Sequence, residues 1–222
     1  ARALAQALVG TANAAGCPTR AVLSDMNQPL VPSLGNALEV AEVMRVLGGE
    51  TAGPIVTLSA ELGGALLAGA GLVRDTEEGA EKIEAALRDG RAAERFGAMI
   101  AALGGPLRFV EDWRRFLPEA TVLREVKAPE DGIVQAIDGE ALGLAVVALG
   151  GGRAVESDIV DPAVGLTDVV RLGETVRAGQ PLAVVHAARP AQDDAASAAV
   201  LAAVTLGAEA VQEPPLIWEH VV

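Results

Sequence analysis

The chain opens on a helical stripe in which Leu4, Leu8, Thr11, Ala12 and Ala15 recur at helix spacing, and Gly16 followed by Cys17 and Pro18 closes it. No Ser, Thr, Asp or Asn stands ahead of that stripe to cap it, which is the pattern of a helix entered part-way along. Arg20–Ser24 is short and apolar and runs into Asp25, Asn27 and Pro29, predicting a buried strand that ends in a loop. Asn36 with Glu39 resembles a capping box, and Val40, Val43, Met44 and Leu47 form the apolar face of the helix it opens, with Gly48-Gly49 as its stop. Pro54 starts a third helix whose predicted face is Ile55, Leu58, Leu62 and Leu66, with Gly63-Gly64 allowing another backbone to approach. Asp75 with Glu78 starts a fourth, bearing Ile83 and Leu87 and ending at Gly90. Phe96, Met99, Ile100 and Leu103 mark a fifth, and Phe109, Trp113 and Phe116 a short sixth that stops at Pro118.

Beyond residue 118 the period changes. Val122–Val126 and Gly132–Ile137 alternate and are β-branched, Glu140–Leu149 is a compact apolar helix closed by Gly150-Gly151-Gly152, and Ala183–Val185 is a further strand. An Ala-rich helix is predicted over residues 190–207, then Pro214-Pro215 and an extended piece through Trp218. The expected organisation is therefore α/β: a mostly helical part over residues 1–117, then an α+β subdomain over residues 118–222.

Composition narrows the function classes. At 222 residues and 51% hydrophobic, the chain can bury roughly 70% of its unfolded surface, which argues against disorder. A net charge of −13 repels phosphate backbones and anionic lipid, arguing against nucleic-acid or membrane-surface partners. The longest apolar stretches, such as Ala141–Leu149, fall short of the roughly 20 residues that span a bilayer. A single cysteine, Cys17, excludes an internal disulfide framework and suits a reducing cytoplasm. There is no tyrosine, and four of the aromatics crowd into residues 96–116, the expected glue between layers.

Candidate chemistry is sparse. Asp25, Asn27, Glu39 and Glu42 form the densest polar group, able in principle to hold a cation, although a capped and solvated helix start explains them more simply. Gly150–Arg153 offers amides and a guanidinium to an anion, yet a glycine run after a helix is first of all its exit. His186 and His220 have no neighbouring Ser or Cys partner and are expected to be structural or exposed. Cys17 lacks the basic surroundings that activate a thiol and is expected to pack. Ala128–Val134 and Gly173–Leu182 resemble the paired hairpins of biotinyl and lipoyl carrier domains. Those carriers modify a lysine on the turn between the hairpins, and no lysine follows Lys127, so a hammerhead-like fold is expected without the carrier function.

Ser24-Asp-Met-Asn-Gln-Pro-Leu30 and Gly35-Asn-Ala-Leu-Glu-Val-Ala-Glu42 resemble the thymidine phosphorylase and pyrimidine-nucleoside phosphorylase family. The resemblance continues through Ala141–Arg153, Val164-Gly-Leu-Thr-Asp168 and Gly179–His186, covering nearly the whole chain. It implies a cytoplasmic homodimeric pentosyltransferase of pyrimidine salvage, in which phosphate attacks the anomeric carbon and the pyrimidine leaves. It also implies that residues 118–222 are a hammerhead-like, barrel-sandwich-type subdomain. No organic cofactor is implied, phosphate being the co-substrate.

The same resemblance aligns the chain with the C-terminal half of the family. The family's phosphate loop, catalytic-pocket histidine and base-gripping residues precede this stretch, so no catalytic or substrate-binding residue is assigned here and the isolated chain is expected to be inactive. One family site maps in part: a potassium ion held by backbone oxygens and a carboxylate, which become Leu30, Ser33 and Glu42. Ser33 replaces the usual alanine, which a carbonyl ligand tolerates. With the remaining ligands on the missing loop, potassium is expected to bind poorly. The alternative is a non-catalytic binding or interaction module of the same fold.

Overall fold

The computed structural model describes residues 1–221. Helices α1 (Arg2–Ala14), α2 (Asn36–Leu47), α3 (Pro54–Gly69), α4 (Thr76–Arg88), α5 (Arg91–Ala102) and α6 (Phe109–Phe116) fill the first half, with strand β1 (Ala21–Ser24) between the first two. The second half mixes β2 (Val122–Lys127), β3 (Gly132–Ile137), α7 (Gly139–Val146), β4 (Gly165–Thr167), β5 (Thr175–Val176) and β6 (Pro181–Ala187). It ends with α8 (Pro190–Ala203), β7 (Val204–Gly207) and β8 (Ile217–Val221). The fold class is thus α/β with a C-terminal α+β part, as the change of period predicts.

Two compact units interleave along the sequence: Ala1–Asp25, Val46–Phe96 and the residues from Pro214 onward make the first, Met26–Arg45 and Gly97–Glu213 the second. The boundary expected at 117/118 lies inside the second unit.

In the first unit, β1 pairs antiparallel with β8, Ala21 opposite Val221 and Val22 opposite His220. Ala5 and Val9 of α1 close a small core over Val221, Ala21 and Leu23. Helix α4 starts as its capping residues dictate. The Asp75 side chain accepts from the Glu78 amide at 2.9 Å, and the Glu78 carboxylate returns to the Arg74 amide at 3.0 Å. Helices α3 and α4 meet through bare backbone, since a Cβ on Gly79 would lie 2.6 Å from the Gly64 Cα. That contact turns Ala60 and Gly64 inward and leaves Leu62 and Leu66 exposed. The predicted leucine face is corrected accordingly: small residues, not leucines, make the seam, because only they let the helices approach so closely.

The second unit holds the main core. Two antiparallel three-stranded sheets, ordered β2-β6-β4 and β5-β3-β7, carry Val134, Leu166 and Val185 inward against Leu142 of α7 and Val200 of α8. These five side chains are essentially unexposed, each contributing roughly 1.5–3 kcal/mol of burial. Asp138 caps α7 by accepting from the Ala141 amide at 2.9 Å. Its continuation widens over Val147–Gly151 and ends where Gly150 takes φ +99°. Phe109 and Trp113 of α6 are buried, with Phe109 and Phe116 stacked at 6.1 Å. Residues 204–207, predicted to continue the last helix, form β7 instead. Val204 and Thr205 are β-branched, and the Ile137–Ile133 edge of β3 offers them a ladder that the helix would forgo.

Candidate functional site

The N-terminus of α2 is seated by two glycines. Gly35 takes φ +132°, Gly165 takes φ +155°, and a Cβ on Gly35 would come within 2.5 Å of the Val164 carbonyl oxygen. Leu34 and Leu166 exchange backbone hydrogen bonds at 2.9 and 2.8 Å beside them. The predicted capping box is shifted by one residue. It is the Gly35 amide that donates to the Glu39 carboxylate, at 3.0 Å, while Asn36 lies inside the helix and its side-chain amide donates to the Gly151 carbonyl at 2.8 Å.

One turn on, Glu42 is 7% exposed, with Ser33, itself buried, donating its hydroxyl to Glu42 Oε1 at 2.7 Å. Arg45, three residues further along the same face, donates to the same oxygen at 2.8 Å. The Arg171 guanidinium addresses the preceding loop, reaching the Pro29 carbonyl at 2.9 Å and the Leu30 carbonyl at 3.4 Å. Leu30, Ser33 and Glu42 therefore belong to one loop-helix segment, in which two guanidinium groups already supply positive charge. As it stands, this set does not fit a monovalent cation: the carboxylate has a cationic partner and the Leu30 carbonyl faces another. Among the described residues, no three His, Cys, Asp or Glu side chains are grouped to hold a metal. Glu39 is committed to its cap, and the Asp25 amide donates to the Leu216 carbonyl within the first unit.

Beside Arg45 lies a pocket of about 360 Å³ walled by Leu38, Trp113, Leu117 and Leu123, with His186 and Arg114 also lining it. Strand register points His186 away from the buried Val185 and Ala187, opposite Leu123 on one side and Gly165 on the other. Its Nε2 is 2.9 Å from the Thr167 hydroxyl oxygen, and that hydroxyl donates its one proton to Asp168 Oδ2 at 3.2 Å. Burial pushes the His186 imidazole below its usual value, only partly opposed by the nearby Asp168 carboxylate. Asp168 takes φ +52°, a strained conformation for a non-glycine residue.

The other candidates resolve simply. The Gly150 and Gly151 carbonyls accept from the Asp161 amide and the Asn36 side chain, so the glycine run serves as a helix exit tied to its surroundings. His220 is half-exposed and 3.4 Å from Glu61. Cys17 is exposed, correcting the expectation that it packs: the left-handed Gly16 turns the chain outward at that point. Sequence reasoning missed Arg45 and Arg171. The i, i+3 pairing of Glu42 with Arg45 on a strongly periodic helix was a signal for the first, whereas no local pattern joins Arg171 to Pro29.

Residues 133–207 match the family model described as the pyrimidine nucleoside phosphorylase C-terminal domain. The matched stretch runs from β3 to β7 and so takes in the β5-β3-β7 sheet except Gly132, with α7 and α8.

Proposed function

We propose, from the match of residues 133–207 to the pyrimidine nucleoside phosphorylase C-terminal domain, that the chain belongs to the thymidine and pyrimidine-nucleoside phosphorylase family and is the scaffold part of a pentosyltransferase. In the reaction a phosphate oxygen bonds to the anomeric carbon as the bond from that carbon to the pyrimidine nitrogen breaks, giving free base and pentose 1-phosphate. Such a transition state needs phosphate held in line and the leaving base neutralised by positioned donors. The two lysines do not offer that grip: Lys82 pairs with Glu78 at 3.0 Å on an exposed helix face, and Lys127, also exposed, lies 3.8 Å from Glu125. In this reading the chain contributes the core on which the reacting groups are mounted, residues 118–222 serving as the C-terminal subdomain, while phosphate and base are held by residues outside it. A cytoplasmic homodimer accompanies this reading by the same kinship.

The observation that carries the proposal is the match over residues 133–207. Its test is phosphorolysis of thymidine and of uridine with inorganic phosphate, followed by chromatography of the released base. This chain alone is expected to release none, and a longer chain that adds an anion-binding segment to the same sequence is expected to release base. Turnover by the 222 residues alone would overturn the division of labour. A longer chain inert toward both nucleosides would favour a non-catalytic binding module.

A further inference from the structure

We infer that the Arg45 guanidinium is the built-in counter-charge of Glu42, and that this chain uses it in place of a monovalent cation. A carboxylate as buried as that of Glu42 must be paired or neutralised, since isolated charge is costly away from water. Its Oε1 accepts both the Ser33 hydroxyl at 2.7 Å and the Arg45 Nη1 at 2.8 Å, so hydrogen bonding and charge are met at one atom. A potassium ion there would have to displace the arginine or sit beside it against like-charge repulsion. The loop carbonyls repeat the pattern, with Arg171 2.9 Å from the Pro29 oxygen and 3.4 Å from that of Leu30. Unlike a bound ion, Arg45 is covalently fixed one helical turn from its partner, so the pair forms without the cost of capturing a diffusing ligand.

The expectation of a cation at these residues comes with the kinship on which the proposed function rests, but the charge arrangement does not. The experiment measures ion binding without turnover, so failure here leaves the phosphorolysis reading intact. Arg45 has 41% of its side chain exposed, which lets R45Q and R45M keep the stem while removing the charge. Thermal unfolding would be followed for wild type, R45Q, R45M, R45K and E42Q/R45Q, in potassium chloride and in choline chloride at equal ionic strength, with potassium chloride titrations by calorimetry. Wild type and R45K are expected to melt at the same temperature in both salts and to give no saturable heat. R45Q and R45M are expected to melt higher in potassium than in choline and to bind potassium at least about tenfold more tightly than wild type, a gain that E42Q/R45Q loses. Saturable potassium binding by wild type would overturn the inference. So would equal melting of the folded R45Q or R45M variant in the two salts.

Discussion

Arg124 holds the one buried aspartate of α8: its Nε lies 2.5 Å from Asp193 Oδ2, on a residue with no exposed surface. Ser197 donates to the other carboxylate oxygen at 3.2 Å, and a second guanidinium nitrogen reaches Asp194 at 2.7 Å. Arg124 is 49% exposed, so on losing its partner it regains water, whereas Asp193 cannot.

The two halves of that pair should therefore differ in the cost of their loss. R124A strands a buried charge and is expected to lower the unfolding free energy by about 3–5 kcal/mol. D193N keeps the shape and leaves a hydratable arginine, and about 1–3 kcal/mol is expected. Urea denaturation of both variants checks the order, and equal losses would contradict it.

Glycine-to-alanine changes at the α3–α4 seam and inside α1 are expected to have opposite effects. G79A drives a methyl group into the Gly64 backbone, at an expected cost of about 1–3 kcal/mol. Gly10, inside α1, has nothing within 4 Å of its missing Cβ, and G10A is expected to add about 0.5–1 kcal/mol through backbone entropy and helix propensity. Denaturation midpoints read both signs directly.

The seat of α2 should be equally intolerant. G35A meets the Val164 carbonyl and also forces a side chain into φ +132°, for an expected loss of about 2–4 kcal/mol. Because that turn positions Glu42 and Arg45, amide exchange over residues 33–45 is expected to speed up in G35A more than over β6.

His186 should make stability pH-dependent in a defined direction. Its folded pKa lies below the ordinary 6.5, so the unfolded chain takes up the proton first as pH falls. The contribution is fully present above the unfolded value and is lost as pH falls through the interval between the two. The stability difference between wild type and H186N is expected to shrink from about pH 7.5 to about pH 5, carboxylate effects being common to both. Parallel pH profiles would exclude it.

Where local chemistry decides, the sequence was legible. Pro54 opens α3, Asp75 and Glu78 cap α4, and the glycines after Leu47 end α2, because each effect acts within one helical turn. Where a distant partner decides, it was not. Val204–Gly207 became strand by pairing with β3, and β4 and β5, three and two residues long, carry too short a pattern to announce themselves. Met44 is buried as its period requires, yet Leu66 is 73% exposed because the bare Gly64–Gly79 contact sets how α3 is turned. At the candidate site, Glu42 stood out in its polar cluster and, with Ser33, in the family resemblance, and Arg45 lay at helix spacing from it, but the meeting of Ser33 and Arg45 on one oxygen of Glu42 emerges only from the folded loop and helix together.

The strand order has a consequence during synthesis. Neighbours in sequence, β2 and β3, go to different sheets, and each waits for a partner made much later: β2 for Pro181–Ala187, the outer edge of β3 for Val204–Gly207. At roughly 5–20 residues per second, a ribosome leaves those β-branched segments without their ladders for several seconds. Completion of this core therefore waits for strands translated roughly 50–75 residues after the ones they pair with, and a chain stalled before residue 181 would expose two sticky edges to chaperones and to its own copies.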